Sequence, residues 1–529
     1  MKNTWIRIIS VIMALLMTLP FLFACGEKTE EGAQQEMESV EVTLPDNVDA
    51  DSEQAKYLPE RKNLGEHEFK IVMDGGFGGN AQYTIPMDDA SLSTDAVNIA
   101  LKKRNDLLEN FFNIDITIRQ LENSYQMNTQ LEVTSLSNED FADIIYSIAS
   151  FVMNPSISNG YVLDLLEMNE LNLDASYYDQ RIQEDYLIDG MLFTLEGDFT
   201  VYDEMRTHVV AVNKTLYSNY LYNDTYGSPY QMVRDGKWTI DTMLAMIKDK
   251  SDINSVGGSD NLTSGSQWGM ISESPFPYVV YLGTGSKIVY SDEGTLTSPW
   301  KDDTTYQKDY EIFEKLLPAI FNNGEILITD KRADILGDGY WSAAQGMFAN
   351  SQALFATSTL TSVVQYRAMK DSFGILPIPK YNEAQEYYYS WCSAMAHAPL
   401  MVPATAKNHI STTATVIEAM AYFSKYMSGT NQSVLDAFYE NMTYAKLCRE
   451  PEDYEMLELI FKYKTYDLDR ALTLADFCWK VTDAADKMDT FSLVTSMQWY
   501  RDKVTSTDPE VNRITMFLDK LWETKDALD

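Results

Sequence analysis

Apolar and polar positions alternate along Phe69-Lys70-Ile71-Val72-Met73, which predicts a β-strand. Ser93-Thr94-Asp95 then reads as a helix start, and Val97 to Phe112 carries an amphipathic helical pattern. Ile114 to Ile118 reads as a strand, Thr129 to Leu136 as a short helix, and Ala142 to Ser147 as a strand apolar on both faces, as in a parallel sheet. Strand, helix, strand, helix, strand is a doubly wound α/β order, in which ligands lie beyond the carboxyl ends of strands. On that rule Phe77, Ser147 and Phe151 fall near a cleft. The glycine run Asp74 to Asn80 fits either flexible turns or close approach of backbone to a ligand. It is not a dinucleotide fingerprint, because Ala81 to Ala90 reads as loop and not as helix.

Further along, Gly190 to Phe199 predicts a hairpin or paired strands, and Val209 to Lys214 a strand. Thr200 to Thr207, with Tyr202, Asp203, Glu204 and Arg206, reads as a crossing between two lobes. A helix from Thr242 to Lys250 follows a cap at Thr239 or Asp241, with Trp238 as a packing residue. Trp268 to Ser272 is a strand, Ser274 to Tyr278 leads into a helix through Leu282, and helical patterns cover Tyr310 to Phe321 and Trp341 to Ala349. Ser351 to Ala356 is a strand ending at Thr357-Ser358-Thr359. Within Asp371 to Asn408, the apolar run Phe373 to Pro379 is closed by prolines that cannot donate into a ladder. Tyr387 to Trp391 then fits equally an aromatic crossing between lobes or a surface hairpin of a single sheet, before the apolar segment Ala394 to Pro403. Helices are expected at Ser411 to Met427, Val434 to Tyr439, Pro451 to Tyr463, Ala475 to Met488 and Pro509 to Leu528.

With 529 residues, more than one core is expected. Charge changes the picture more. Lys and Arg total 41 against 79 Asp and Glu, a net charge of -38, which argues against nucleic acid as a partner and against an anionic membrane face without an anchor. Beyond Cys25, the cysteines Cys392, Cys448 and Cys478 fit neither a disulfide framework nor a zinc site and read as small buried hydrophobes. The four histidines (His67, His208, His397, His409) form no HExxH or His-x-His pair, so spacing assigns no metal and no cofactor.

The amino terminus supplies the anchor. Lys2 and Arg7 precede an apolar stretch, Ile8 to Leu22, too short to span a membrane. Leu22-Phe23-Ala24-Cys25-Gly26 resembles a bacterial lipobox at Leu22, Ala24 and Cys25, with Phe23 larger than usual. Two acyl chains on Cys25 would anchor stably. Glu27 to about Asn63 has few apolar residues and reads as a disordered acidic tether.

Five segments then recur in a known order: Ala142 to Ile145, Val210 to Lys214, Gly236 to Asp241, Phe373 to Lys380 and Val402 to Asn408. With the lipobox they resemble the extracellular solute-binding lipoproteins of bacterial carbohydrate-type ABC importers, over roughly Glu68 to Leu528. The resemblance implies a two-lobe α/β fold of the periplasmic-binding-protein type II class, with a central cleft, hinge crossings and no catalysis. It implies a signal peptide at 1–24, the tether at 25–65, a first lobe from 66–201 with 392–445, and a second from 202–391 with 446–529. The implied partners are a small carbohydrate ligand and permease transmembrane subunits. The implied setting is a lipid-anchored monomer on the extracytoplasmic face of a Gram-positive cell membrane.

By segment, the resemblance places ligand contacts at Phe77 and Asn80, Ser147 to Phe151, Asp203 and Glu204, Phe276 and Tyr278, Ser358 and Thr359, and Tyr389 and Trp391. Many sugar binders carry an aromatic where this chain has Ser358 and Thr359. The residue types suit a sugar. Phe77, Phe276, Tyr278 and Trp391 have faces to stack on a pyranose, while Asn80, Asp203, Glu204, Ser358 and Thr359 can take its hydroxyls. A peptide or other polar solute fits the same fold. A surface glycoside hydrolase using Glu196, Asp198, Asp203 and Glu204 is a third reading, but nothing here resembles a hydrolase barrel.

Overall fold

Two β-sheets organise the chain. The computed structural model describes residues 48–49, 51–75, 83–87, 90–252, 265–321, 324–336, 343–427, 432–475, 477–478, 481 and 490–528. The signal peptide, Cys25, Phe77, Asn80, Trp341 and most of the helix expected at Ala475 to Met488 lie outside the described residues.

The first sheet is built from β1 (His67–Asp74), β2 (Ile114–Leu121) and β3 (Ile144–Tyr146), all parallel, with β1 central. Helix Ala96–Phe112 connects β1 to β2, and Ser124–Ser137 connects β2 to β3. Asp95 and Asn123 cap those helices through their side chains, and Asn113 and Asn138 end them in left-handed conformation.

The second sheet has the order β10-β4-β9-β5-β8. Its members are β4 (His208–Asn213), β5 (Trp268–Ser272), β8 (Ile326–Ile328), β9 (Ala353–Thr359) and β10 (Phe373–Leu376), while β6 (Tyr290–Asp292) and β7 (Thr295–Thr297) form a separate hairpin. β9 runs parallel to β5 and antiparallel to β4, which pairs His208 with Thr359. Helix Ile240–Ile247 is capped by Thr239, and the buried Trp238 donates its indole N–H to Pro377 O at 2.8 Å.

Three stretches of chain lie side by side next to these sheets. Thr207 bridges Cys392, and β11 (Ser390–Trp391) pairs with β13 (Lys464–Thr465). The chain enters β4 from the first stretch, and from the second it returns to the first sheet at β12 (Leu400–Met401), antiparallel to β3. After β13, helix Leu468–Leu472 packs on Ala149–Ser158, beside the first sheet. Residues 446–529, expected with the second lobe, touch both: Pro451–Lys462 packs on β10, and Arg513–Leu528 on Ala149–Ser158.

Two further expectations are corrected. The hairpin read at Gly190 to Phe199 consists of single bridges, Ile188 to Met191, Tyr178 to Gly197 and Leu195 to Leu400. A left-handed turn at Asp189 and Gly190 reverses the chain too early for a ladder, and a Cβ at Gly197 would collide with the Tyr177 carbonyl. The end of the expected tether, residues 51–65, lies against the first sheet's helices. Glu53 accepts from Ser176 N at 3.0 Å and Tyr426 OH at 2.8 Å, and Leu64 N donates to Phe112 O at 2.8 Å. Tyr57, Leu58 and Leu64 pack on the core there, an apolar group that the acidic composition around it conceals.

Candidate functional site

The carboxyl end of the first sheet is closed by its own hydrogen bonds. Asp74 ends β1, and its Oδ2 accepts from the hydroxyls of Ser147 and Ser124 and from Ile148 N at 3.0 Å. Ser147, a predicted ligand residue, is therefore fully buried and bonded to Asp74. Phe151 is half-buried, with its ring edge-on to Tyr125 at 5.5 Å. Tyr125 is 70% exposed and was not expected at the site.

The hinge stretches hold a buried ionic network. Lys464 pairs with Asp203, with Asp179 at 3.0 Å and with Glu204 at 3.2 Å, while Tyr466 OH donates to Asp203 at 3.0 Å. Burial pushes the Asp203 carboxyl up, but the Lys464 ammonium together with hydrogen bonds from Glu204, Lys464 and Tyr466 outweighs it and holds the group low. Burial and the Asp203 charge push Glu204 well up, so one proton is retained by the pair. Asp203 is thus engaged within the hinge. Tyr389, half-buried, joins Tyr387 and Tyr463 in a separate aromatic group.

The carboxyl ends of β5 and β9 are different. A pocket of about 50 Å³ opens there, lined by His208, Ser272, Glu273, Phe276, Ser358 and Thr359 among others. Three predicted residues, Phe276, Ser358 and Thr359, therefore come together. Trp391 and Tyr278 lie behind them. The His208 ring stacks on Trp391 at 5.3 Å with an interplanar angle of 5°, and Tyr278 meets Trp391 edge-on at 5.7 Å. Both are fully buried, and Tyr278 OH donates to Asp467 at 2.7 Å, so neither presents a free face in this conformation.

Electrostatics set the protonation of the lining. Burial and the nearby Arg206 push the His208 pKa down to about 3, leaving a neutral imidazole. Burial raises Glu273, against a hydrogen bond from Gln345 Nε2 at 3.1 Å. Three buried polar atoms around the pocket, His208 Nδ1, Trp391 Nε1 and Gln345 Oε1, have no hydrogen-bond partner among the described residues. Buried polar atoms are rarely left so, and a cluster of them suits a polar ligand. Arg206 lies over the Tyr202 ring at 4.8 Å and donates to its hydroxyl at 3.0 Å, next to the pocket. His208 and Gln345 were missed because each reads locally as an ordinary strand-end or helix residue. Only the register that sets His208 opposite Thr359 reveals the grouping.

No family profile matches the chain, and no curated protein matches it. Solved structures do. A cyclo/maltodextrin-binding protein complexed with maltotetraose superposes with a TM-score of 0.52 at 12% identity, over 83% of this chain and 98% of that one. A maltose-binding periplasmic protein from Listeria monocytogenes, in complex with maltose, gives 0.50 at 16% identity over 84% and 99%. An ABC substrate-binding protein from the same organism, in complex with cycloalternan, gives 0.50 at 12% over 84% and 100%. The chain has the two-lobe periplasmic-binding-protein fold. In that fold the three hinge stretches stand beside the pocket, and the fold neighbours are binding proteins. Among the described residues no helix is long and apolar enough to cross a membrane.

One grouping contradicts the absence of a metal-type cluster in the spacing. His67, Asp143 and His409, far apart in the chain, meet at the amino ends of β1 and β3.

Proposed function

We propose that the chain is the extracytoplasmic substrate-binding subunit of an ABC importer, capturing a sugar or oligosaccharide between two lobes and delivering it to a membrane permease. It acts without catalysis, as a monomer held to the membrane by lipid on Cys25. The carrying observation is the pocket at the ends of β5 and β9, where the Phe276 ring, the Ser358 and Thr359 hydroxyls, neutral His208 and Glu273 surround one space. Hydroxyl, imidazole and carboxyl groups beside an aromatic ring suit a sugar, with Phe276 covered in this conformation as Trp391 and Tyr278 are. The maltotetraose, maltose and cycloalternan bound by the fold neighbours support the same class.

The geometry supports closure of the lobes on the ligand. Phe151 and Tyr125 stand at the carboxyl end of the first sheet, and the pocket at that of the second. A ligand touching both ends stabilises the closed arrangement by its differential contacts. Phe77 and Asn80 complete the first-lobe side in this reading, Glu204 the hinge side, and Trp391 and Tyr278 back the second-lobe wall.

The test is a thermal-shift screen against mono-, oligo- and amino-sugars, polyols and peptides, with chromatography for products. A ligand that binds only the folded state raises the melting temperature. A shift with one glycan class and no released product is expected. A shift with peptides alone overturns the carbohydrate assignment, and product release overturns the non-enzymatic one.

A further inference from the structure

The first sheet carries a second polar cluster at the end opposite its Asp74. His67 opens β1, Asp143 directly precedes β3, and His409 stands at the N-cap of helix Ile410–Tyr426. His67 Nε2 lies 2.9 Å from Asp143 Oδ1, and His409 Nε2 lies 3.2 Å from the same oxygen. The two imidazole centroids are 4.9 Å apart. His409 Nε2 is buried and has no hydrogen-bond partner among the described residues, so it faces the carboxylate without the alignment of a bond.

We propose that His67, Asp143 and His409 form a binding site for one divalent transition-metal ion of the zinc class. Zinc takes imidazole nitrogen at about 2.0–2.1 Å and carboxylate oxygen at about 2.0–2.2 Å, so neighbouring ligands of a tetrahedral ion stand about 3.4 Å apart. The two nitrogen–oxygen separations, 2.9 and 3.2 Å, are within half an ångström of that spacing. All three ligand atoms lie within 4.8 Å of one another. Two histidines and one carboxylate are a donor set that suits zinc, nickel or cobalt and not magnesium or calcium.

The surroundings orient the carboxylate as metal sites require. Thr413 donates its hydroxyl to Oδ1 at 2.8 Å, and Lys70 N donates to Oδ2 at 2.8 Å. Lys70 Nζ, beside the site, is paired with Asp140 at 2.8 Å and lies 3.9 Å from Glu68. Both histidines are about one-fifth exposed, which leaves water or a buffer ligand room to complete four-coordination. The ion would staple the start of β1 and the segment before β3 to the first turn of helix Ile410–Tyr426. Because the cluster lies at the amino ends of the strands, it is separate from the sugar pocket. The two readings therefore stand or fall independently.

The test uses the full, untagged chain freed of metal by a chelator. Titration with Co2+ is expected to give one equivalent with the visible absorption of a four-coordinate imidazole site. Zn2+ is expected to displace it and to raise the melting temperature. Either His67→Gln or His409→Gln abolishes the Co2+ band with the fold intact by circular dichroism, and Thr413→Val weakens affinity about tenfold or more through the carboxylate it orients. Absence of saturable one-to-one uptake overturns the proposal. So does uptake that the two histidine substitutions leave unchanged, which would place the ion on the acidic surface.

Discussion

The hinge and the pocket touch through Trp391, which belongs to β11 and stacks on the pocket's His208, yet the hinge is built on an ionic network and the pocket on a neutral imidazole and hydroxyls around an open space. In the hinge, Lys464 is saturated by Asp203, Asp179 and Glu204. At the pocket, His208, Trp391 and Gln345 each keep a buried atom without a partner. Charge pairing fixes a geometry around Lys464, although Asp203 Oδ1 and Ser390 Oγ are also buried without a partner among the described residues, while the pocket atoms stand beside an open space that a ligand can fill. In the proposed reading the first part holds the lobes in place and the second recognises what enters between them.

The largest effect should come from emptying the hinge network. Lys464→Met removes the cation and leaves Asp203 buried with only the hydrogen bonds of Tyr466 and Glu204. Losing one partner of a buried ion pair costs about 3–5 kcal/mol. Chemical denaturation should show that loss, and adding Asp203→Asn should recover much of it. An unchanged midpoint would mean that water already screens Lys464 and that the hinge is not the rigid member of the comparison.

A middle-sized effect is the response to pH. Burial raises the Asp198 carboxyl to about 7, against the charge of Lys425 at 3.7 Å, while Asp203, Lys464 and Asp179 also act on it. Its unfolded value is about 3.9. Between those values the folded chain binds more protons than the unfolded one, so stability is fully present below about 4 and declines as pH rises through 7. Glu196 and Glu204, also raised chiefly by burial, act in the same direction. Asp203 acts oppositely, its stabilisation being lost as pH falls below the ordinary carboxylate range. Buried His208 and His397, lowered to about 3 and about 4, act the other way up to the ordinary histidine value of about 6.5, so melting temperature should fall from about pH 6.5 to pH 8, and Asp198→Asn should flatten that slope. A melting temperature that rises over this interval would contradict the assignment.

How far the sequence reveals this contrast depends on range. Locally periodic elements were legible: β5 is Trp268–Ser272 as read, and helix Pro451–Lys462 ends one residue before the expected Tyr463. Phe276, Ser358 and Thr359 were legible because segment order carries strand ends with it. Lys464 was not, since its partner Asp203 is 261 residues away and nothing in Tyr463-Lys464-Thr465 marks a buried cation. The same holds for His67 and His409, whose meeting at Asp143 depends on packing a late helix against the first strands. Trp391 shows the converse: the resemblance placed it on the ligand, but its faces are taken by His208 and Tyr278.

The smallest effect on stability should be at the pocket, and it gives the sharpest test. Ser358 makes one long contact, 3.3 Å to Tyr366 OH, at the edge of the open space. Ser358→Ala removes a hydrogen bond of about 0.5–1.5 kcal/mol at most, so the denaturation midpoint should scarcely move. Affinity for the glycan found by thermal shift should fall about tenfold, the equivalent of about 1.4 kcal/mol, because the hydroxyl's second partner is the ligand. Calorimetric titration beside denaturation separates the two quantities. Lost stability with unchanged affinity would place Ser358 in the fixed framework with Lys464, and the recognition surface would then have to begin at Glu273 and Phe276.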